Sequence, residues 1–130
     1  MSIKRMMGVA VLSLAAVAPL ALAQDKTSVA YKACMDTANT TVSMNECNNA
    51  EIARQDKRLN QVYKKAMAAF GPVQQGKLRD AQRAWIKYID SNCDFYFTQT
   101  GGTMDILNGG GCRLRMTSER ADELEALQAP

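Results

Sequence analysis

Four cysteines, Cys34, Cys47, Cys93 and Cys112, constrain this chain more than any other feature. What they can do depends on the compartment, and the N-terminus speaks to that. Lys4 and Arg5 open the chain, residues 8–22 form an apolar run broken only by Ser13 and Pro19, and Ala21-Leu22-Ala23 supplies a small-x-small cleavage pattern. This is the layout of a secretory signal peptide over residues 1–23, cut before Gln24. The run is too short for a membrane anchor, and Pro19 interrupts it. No cysteine stands at the cut to carry a lipid. The expected product is periplasmic or secreted, with no membrane anchor. In such a compartment an even number of cysteines in a small domain points to disulfides. A structural zinc site would need close C-x-x-C spacing, which is absent, so no metal is expected.

Four cysteines allow three pairings. Cys34–Cys47 and Cys93–Cys112 are favoured, because each would join neighbouring helices across a loop. On the chain-entropy model each link contributes about 3 kcal/mol, a large share of a total stability of roughly 5–15 kcal/mol.

Of the 130 residues, 16 are Lys or Arg and 13 are Asp or Glu; Lys4 and Arg5 leave with the leader, so the remaining 107 residues carry 14 against 13. That near-balance lends no support to a nucleic-acid partner. The length suits a single domain over residues 24–130 with a modest core.

Strand signals are poor and helical periodicity is strong. A short helix is expected over residues 28–38, ending at the turn Asn39-Thr40-Thr41. The second opens on the capping-box pattern Ser43-Met44-Asn45-Glu46 and stops at Gly71-Pro72. Ile52, Leu59, Tyr63, Ala66 and Phe70 form its apolar stripe, opposite a basic face of Arg54, Lys57, Lys64 and Lys65. The third helix is expected after Gly76 and to about Phe97, burying Leu78, Ala81, Trp85, Ile89 and Tyr96. Gly101-Gly102 breaks it, and Gly109-Gly110-Gly111 reads as a flexible connector. The last helix is expected over residues 112–127, burying Leu114, Ala121, Leu124 and Leu127. The fold class is all-α: a compact bundle of about four helices, two long and antiparallel and two shorter, stapled by two disulfides.

Polar residues inside apolar stripes carry the most information. Asp56 projects toward the core of the second helix with Asn60 at its edge, Gln82 and Asn92 lie beside Trp85, and Arg120 lies close to Leu124 in helical angle. A buried carboxylate and a buried guanidinium invite pairing. The expected cluster is Asp56 with Arg120, completed by Asn60, Gln82 and the Trp85 indole.

That cluster does not suggest an enzyme. The chain has no histidine, hence neither the commonest acid-base residue nor the commonest metal ligand. Asp56 is the one obvious inward acid, whereas glycoside hydrolysis needs two. Ser43, Ser91 and Ser118 lack a histidine base, and nothing brings Ser118 to Lys65. The triple glycine is followed by Cys112 and Arg113 instead of the Lys and Ser/Thr of a phosphate loop. No catalytic residue and no cofactor are assigned. Met44 and Met67 read as core; Met35, Met104 and Met116 are candidates for an adaptable contact surface, with gap-filling as the plainer role.

Taken in order, the motifs resemble a known family. Met44-Asn45-Glu46-Cys47 and Asp56-x-x-Leu59-Asn60-x-x-Tyr63 are similar to the first half of the LprI-type lysozyme-inhibitor N-terminal domain. The second half is matched by Leu78-x-x-Ala81-Gln82-Arg83-Ala84-Trp85-Ile86-x-Tyr88, Asp90-x-x-Cys93, Gly101-Gly102-Thr103, Cys112 and Thr117-x-x-Arg120-x-x-x-Leu124. One departure is Ile89, where members usually carry an arginine. The resemblance implies a helical, disulfide-bonded, exported domain that binds and inhibits lysozyme. The candidate partner loop is 101–112, with Gly101 and Gly102 at its head and Asp105 or Asn108 offered to a cleft; a plain interhelical connector is the bland alternative. A net +1 is not the acidity expected of a partner for cationic lysozymes, although Glu119, Asp122, Glu123 and Glu125 supply local acid. Other readings from a different class are an accessory envelope protein or an immunity protein. With no exposed heptad seam, a monomer is expected.

Overall fold

The computed structural model describes residues 27–128. The leader over residues 1–23 and its cleavage point lie outside them. Four helices follow one another: α1 (Val29–Thr37), α2 (Thr41–Ala68), α3 (Pro72–Phe97) and α4 (Asp105–Ala126). Disulfides join Cys34 to Cys47 and Cys93 to Cys112, with Cα atoms 5.7 and 5.6 Å apart.

Helices α1 and α2 begin where a side chain satisfies a free N–H group of the first turn. The Ser28 hydroxyl accepts from Tyr31 N at 3.0 Å and starts α1. At α2 a capping box forms one turn earlier than the pattern Ser43 to Glu46 suggests. Thr40 Oγ1 accepts from Ser43 N, and Ser43 Oγ accepts from Thr40 N, both at 3.0 Å. Serine serves here as the reciprocal acceptor that glutamate more often supplies. Helix α3 starts at Pro72, not after Gly76, because proline needs no N–H partner in a first turn. Gln75 Nε2 then donates to Met67 O (2.9 Å) and Phe70 O (2.8 Å), satisfying the end of α2 across a three-residue bend.

The largest revision concerns the triple glycine. It is no flexible connector; α4 begins at Asp105 and runs straight through it. Gly109 and Gly110 are buried because two neighbours press on them. A Cβ on Gly109 would overlap the Phe97 ring, and one on Gly110 would meet Asn48 Nδ2 at 3.3 Å. Glycine is selected here for close approach, at a cost in helix propensity that packing offsets.

Helix α4 is consequently long and central. Asn48 lies against Gly110 and Gln128 reaches Val62 O at 3.1 Å, so α2 and α4 run parallel. Gln82 meets Arg120 and Phe97 covers Gly109, so α3 runs antiparallel to α4. The α2 and α3 backbones scarcely touch, since α4 lies between them. The core has two parts. Leu59, Val62 and Ala66 pack on Ala121 and Leu124, with Tyr63 and Leu78 beside them. Ile89 and Cys93 pack on Cys112 and Met116 with Tyr96, and Trp85 bridges the two groups.

Burial departs from the expected stripes in a consistent way. On α2 the buried line is Cys47, Asn48, Glu51, Gln55, Leu59, Val62 and Ala66, while Ile52, Tyr63 and Phe70 are only half-buried. The helix is rotated to lay a three-four repeat on α4. Ala81 and Leu127 are exposed. Ile89 is fully inside, so an arginine at this position would have to displace core.

Candidate functional site

Three polar assemblies and one apolar groove are the candidate working parts. The most heavily bonded assembly centres on Glu51, whose side chain is 0% exposed. Its Oε1 accepts from Ser28 N (2.9 Å) and Gln55 Nε2 (2.9 Å); its Oε2 accepts from Ser28 Oγ (2.6 Å) and Arg54 Nε (2.7 Å). Four donors fill the four lone-pair directions of a carboxylate. Burial works to raise its pKa, but the bonds from Ser28, Gln55 and Arg54 outweigh it and hold the group at about 2. Beside it the Tyr31 hydroxyl donates to Asn48 Oδ1 at 2.9 Å. This knot fastens α1, which buries no residue of its own, onto α2.

Sequence reading missed the knot because Asn48, Glu51 and Gln55 look like a solvent face. The available signal was their three-four spacing, which continues straight into Leu59, Val62 and Ala66.

The expected cluster forms only in part. Arg120 Nε donates to Gln82 Oε1 at 3.0 Å, and Trp85 lines the same shallow groove between α3 and α4. Asp56 and Asn60 are not there; both are exposed on α2. The rotation of α2 turns them away, and Arg120 pairs with Glu123 instead, at 2.8 Å. Partial burial still nudges the Asp56 carboxyl upward, against the pull of Arg113. Asn92 points its amide at sulfur, 3.4 Å from Cys112 Sγ and 3.3 Å from Met116 Sδ.

The third assembly corrects the proposed partner loop. Asp105, expected to face a cleft, is only 4% exposed. Its carboxylate accepts from Thr100 N (2.9 Å), Gly101 N (2.7 Å) and Thr100 Oγ1 (2.8 Å). The Thr100 hydroxyl, then the backbone N–H groups, push its pKa down despite burial. Asp105 thus ties the 98–104 turn to the start of α4. Gly101, at φ +72°, makes the turn that a side chain would strain. Gly102 is exposed at the tip, and Asn108 is exposed on α4 beside Tyr96 and Gln99.

Next to this turn lies an apolar groove lined by Val42, Phe97, Gly102 and Ile106. Val42 is 69% and Phe97 38% exposed. By contrast, the C-terminal acids are already engaged. Arg58 holds Asp122 and Glu125, Arg115 holds Glu119, and Arg120 holds Glu123. Among the described residues no group of three or more Cys, Asp or Glu could hold a metal ion, and no helix is long and apolar enough to cross a membrane.

Residues 33–124, which include all four cysteines, match the family described as lysozyme inhibitor LprI. An uncharacterized protein of Rhizobium meliloti (strain 1021) is 30% identical over 104 residues, covering 69% of this chain and 75% of that relative. No solved structure matches. With the family match spanning α2 and α3 in full, α4 as far as Leu124 and the second half of α1, the chain belongs to the lysozyme inhibitor LprI family.

Proposed function

We propose that this chain is an exported binding protein that inhibits a lysozyme-like muramidase by physical occlusion of its cleft. The observation that carries the reading is membership of an inhibitor family across residues 33–124. The scaffold is suited to the task. Two disulfides and the Asp105 turn hold one end of the bundle in a fixed shape, so little conformational freedom is lost on docking. Blockade needs no reacting group, only a rigid surface that excludes substrate. The same disulfides favour an oxidising compartment outside the cytoplasm, where cell-wall hydrolases act.

The test is lysis of a cell-wall suspension followed by turbidity, with the oxidised protein in several-fold molar excess over a purified lysozyme. Slowed lysis that scales with inhibitor is expected. Unchanged lysis at every ratio would remove the proposal.

A further inference from the structure

The near-neutral charge of this protein conceals a strong separation. Residues 33–53 and 88–112 contain Asp36, Glu46, Glu51, Asp90, Asp94 and Asp105 and not one lysine or arginine. Residues 54–87 contain nine basic residues and two acids. The helix order brings the first two stretches to the same end. Helix α1 ends and α2 begins there, α3 ends there, and the parallel α4 begins there. Two helix N-termini and two C-termini meet at this end, so their backbone dipoles offset and side chains set the field.

Not all six acids are available. Glu51 and Asp105 are buried in their hydrogen-bond networks, and Asp90 pairs with Arg113 at 2.9 Å. Asp36, Glu46 and Asp94 remain exposed, with no ion pair among the described residues. Glu46 and Asp94 flank the apolar groove. Glu46 lies one turn along α2 from Val42, and Asp94 lines a shallow depression shared with Phe97, which also walls the groove. Both disulfides anchor this end.

We infer that the acidic, disulfide-bearing end of the bundle, centred on the groove of Val42, Phe97 and Ile106, is the surface that docks on a cationic muramidase. The inference rests on the inhibitory reading above and names its surface. An apolar centre with an acidic rim suits a partner of net positive charge: the rim speeds encounter and the centre holds the complex. The opposite end, rich in lysine and arginine, would repel that partner.

The test compares three variants against the unaltered protein in the turbidity assay with a purified cationic lysozyme, each first checked for an unchanged helical spectrum. Val42→Lys places a charged chain in the groove. Glu46→Gln with Asp94→Asn removes two rim charges, and Gln61→Lys with Gln74→Lys makes the same charge change on exposed positions of the other half. Val42→Lys should weaken inhibition about tenfold or more, as loss of a central contact does. The rim pair should weaken it several-fold at low salt and less at high salt. The distant pair should leave it unchanged. If the unaltered protein inhibits and all three variants match it, or only the distant pair loses potency, the surface is wrong while the inhibitory reading stands. If the unaltered protein does not inhibit, both fall. Should sedimentation show a dimer that Val42→Lys dissociates, the groove is a contact between copies of this chain, and the inference is overturned.

Discussion

The two ends of the bundle are held by different physics. At the distal end, where α2 turns into α3, Leu59, Val62, Ala66, Ala121 and Leu124 make an apolar core, and a proline and a glutamine close the bend. At the other end α1 buries nothing. It stays attached through Cys34–Cys47, the Ser28 contacts to Glu51 and the Tyr31 bond to Asn48. Apolar burial dominates where three long helices meet. A nine-residue helix with no buried face needs covalent and hydrogen-bonded attachment instead. The end that carries the acidic groove is the end whose shape does not depend on burying that groove.

The sharpest break in this contrast comes from the apolar side. Leu124→Ala, at a fully buried site, should cost about 3–4 kcal/mol. Urea unfolding should show that loss equally under oxidising conditions and with reductant. Replacing Cys34 and Cys47 together by serine should cost about 3 kcal/mol on loop entropy. Its signature is regional: amide exchange should rise across α1 and the first turns of α2, while α4 near Leu124 keeps its protection. Equal acceleration everywhere would erase the distinction between the two ends.

A smaller effect probes the hydrogen-bonded attachment. Glu51→Gln should cost about 2 kcal/mol, since a neutral amide cannot accept from four donors. Glu51 has a folded pKa depressed from 4.5 to about 2, so its contribution is complete above pH 4.5 and disappears as pH falls toward 2. Stability measured across that window should drop more steeply in the unaltered protein than in the variant. Asp105, whose pKa is also lowered, should leave a residual slope in both. Identical slopes would mean that the buried knot does not act as a charged unit.

Much of this was legible in the residues. Helix count, the end of α2 at Gly71-Pro72 and the disulfide pairs follow from local rules that hold wherever the segment sits. The register of α2 was not legible, because Ile52, Tyr63 and Phe70 offer nearly as good a stripe as Val62 and the polar trio Asn48, Glu51 and Gln55. Only the approach of α4 decides between them. For the same reason Asp56, assigned to the core by angle, ended outside it, while Arg120 and Gln82 met across α3 and α4.

The triple glycine marks the boundary between the two kinds of information. By itself Gly109-Gly110-Gly111 has poor helix propensity, and nothing nearby in sequence argues otherwise. Phe97 and Asn48 lie against those glycines only after the chain has folded back, and their packing makes a helix of what local preference would leave loose. What the sequence by itself determined is therefore the helical class, the covalent links and the uneven distribution of charge, each set by neighbours within a few turns or by composition. Which face each helix buries, where Asp105 points, and that the acid-bearing stretches gather at one end depend on contacts between residues far apart in the chain, and only the tertiary structure decided them.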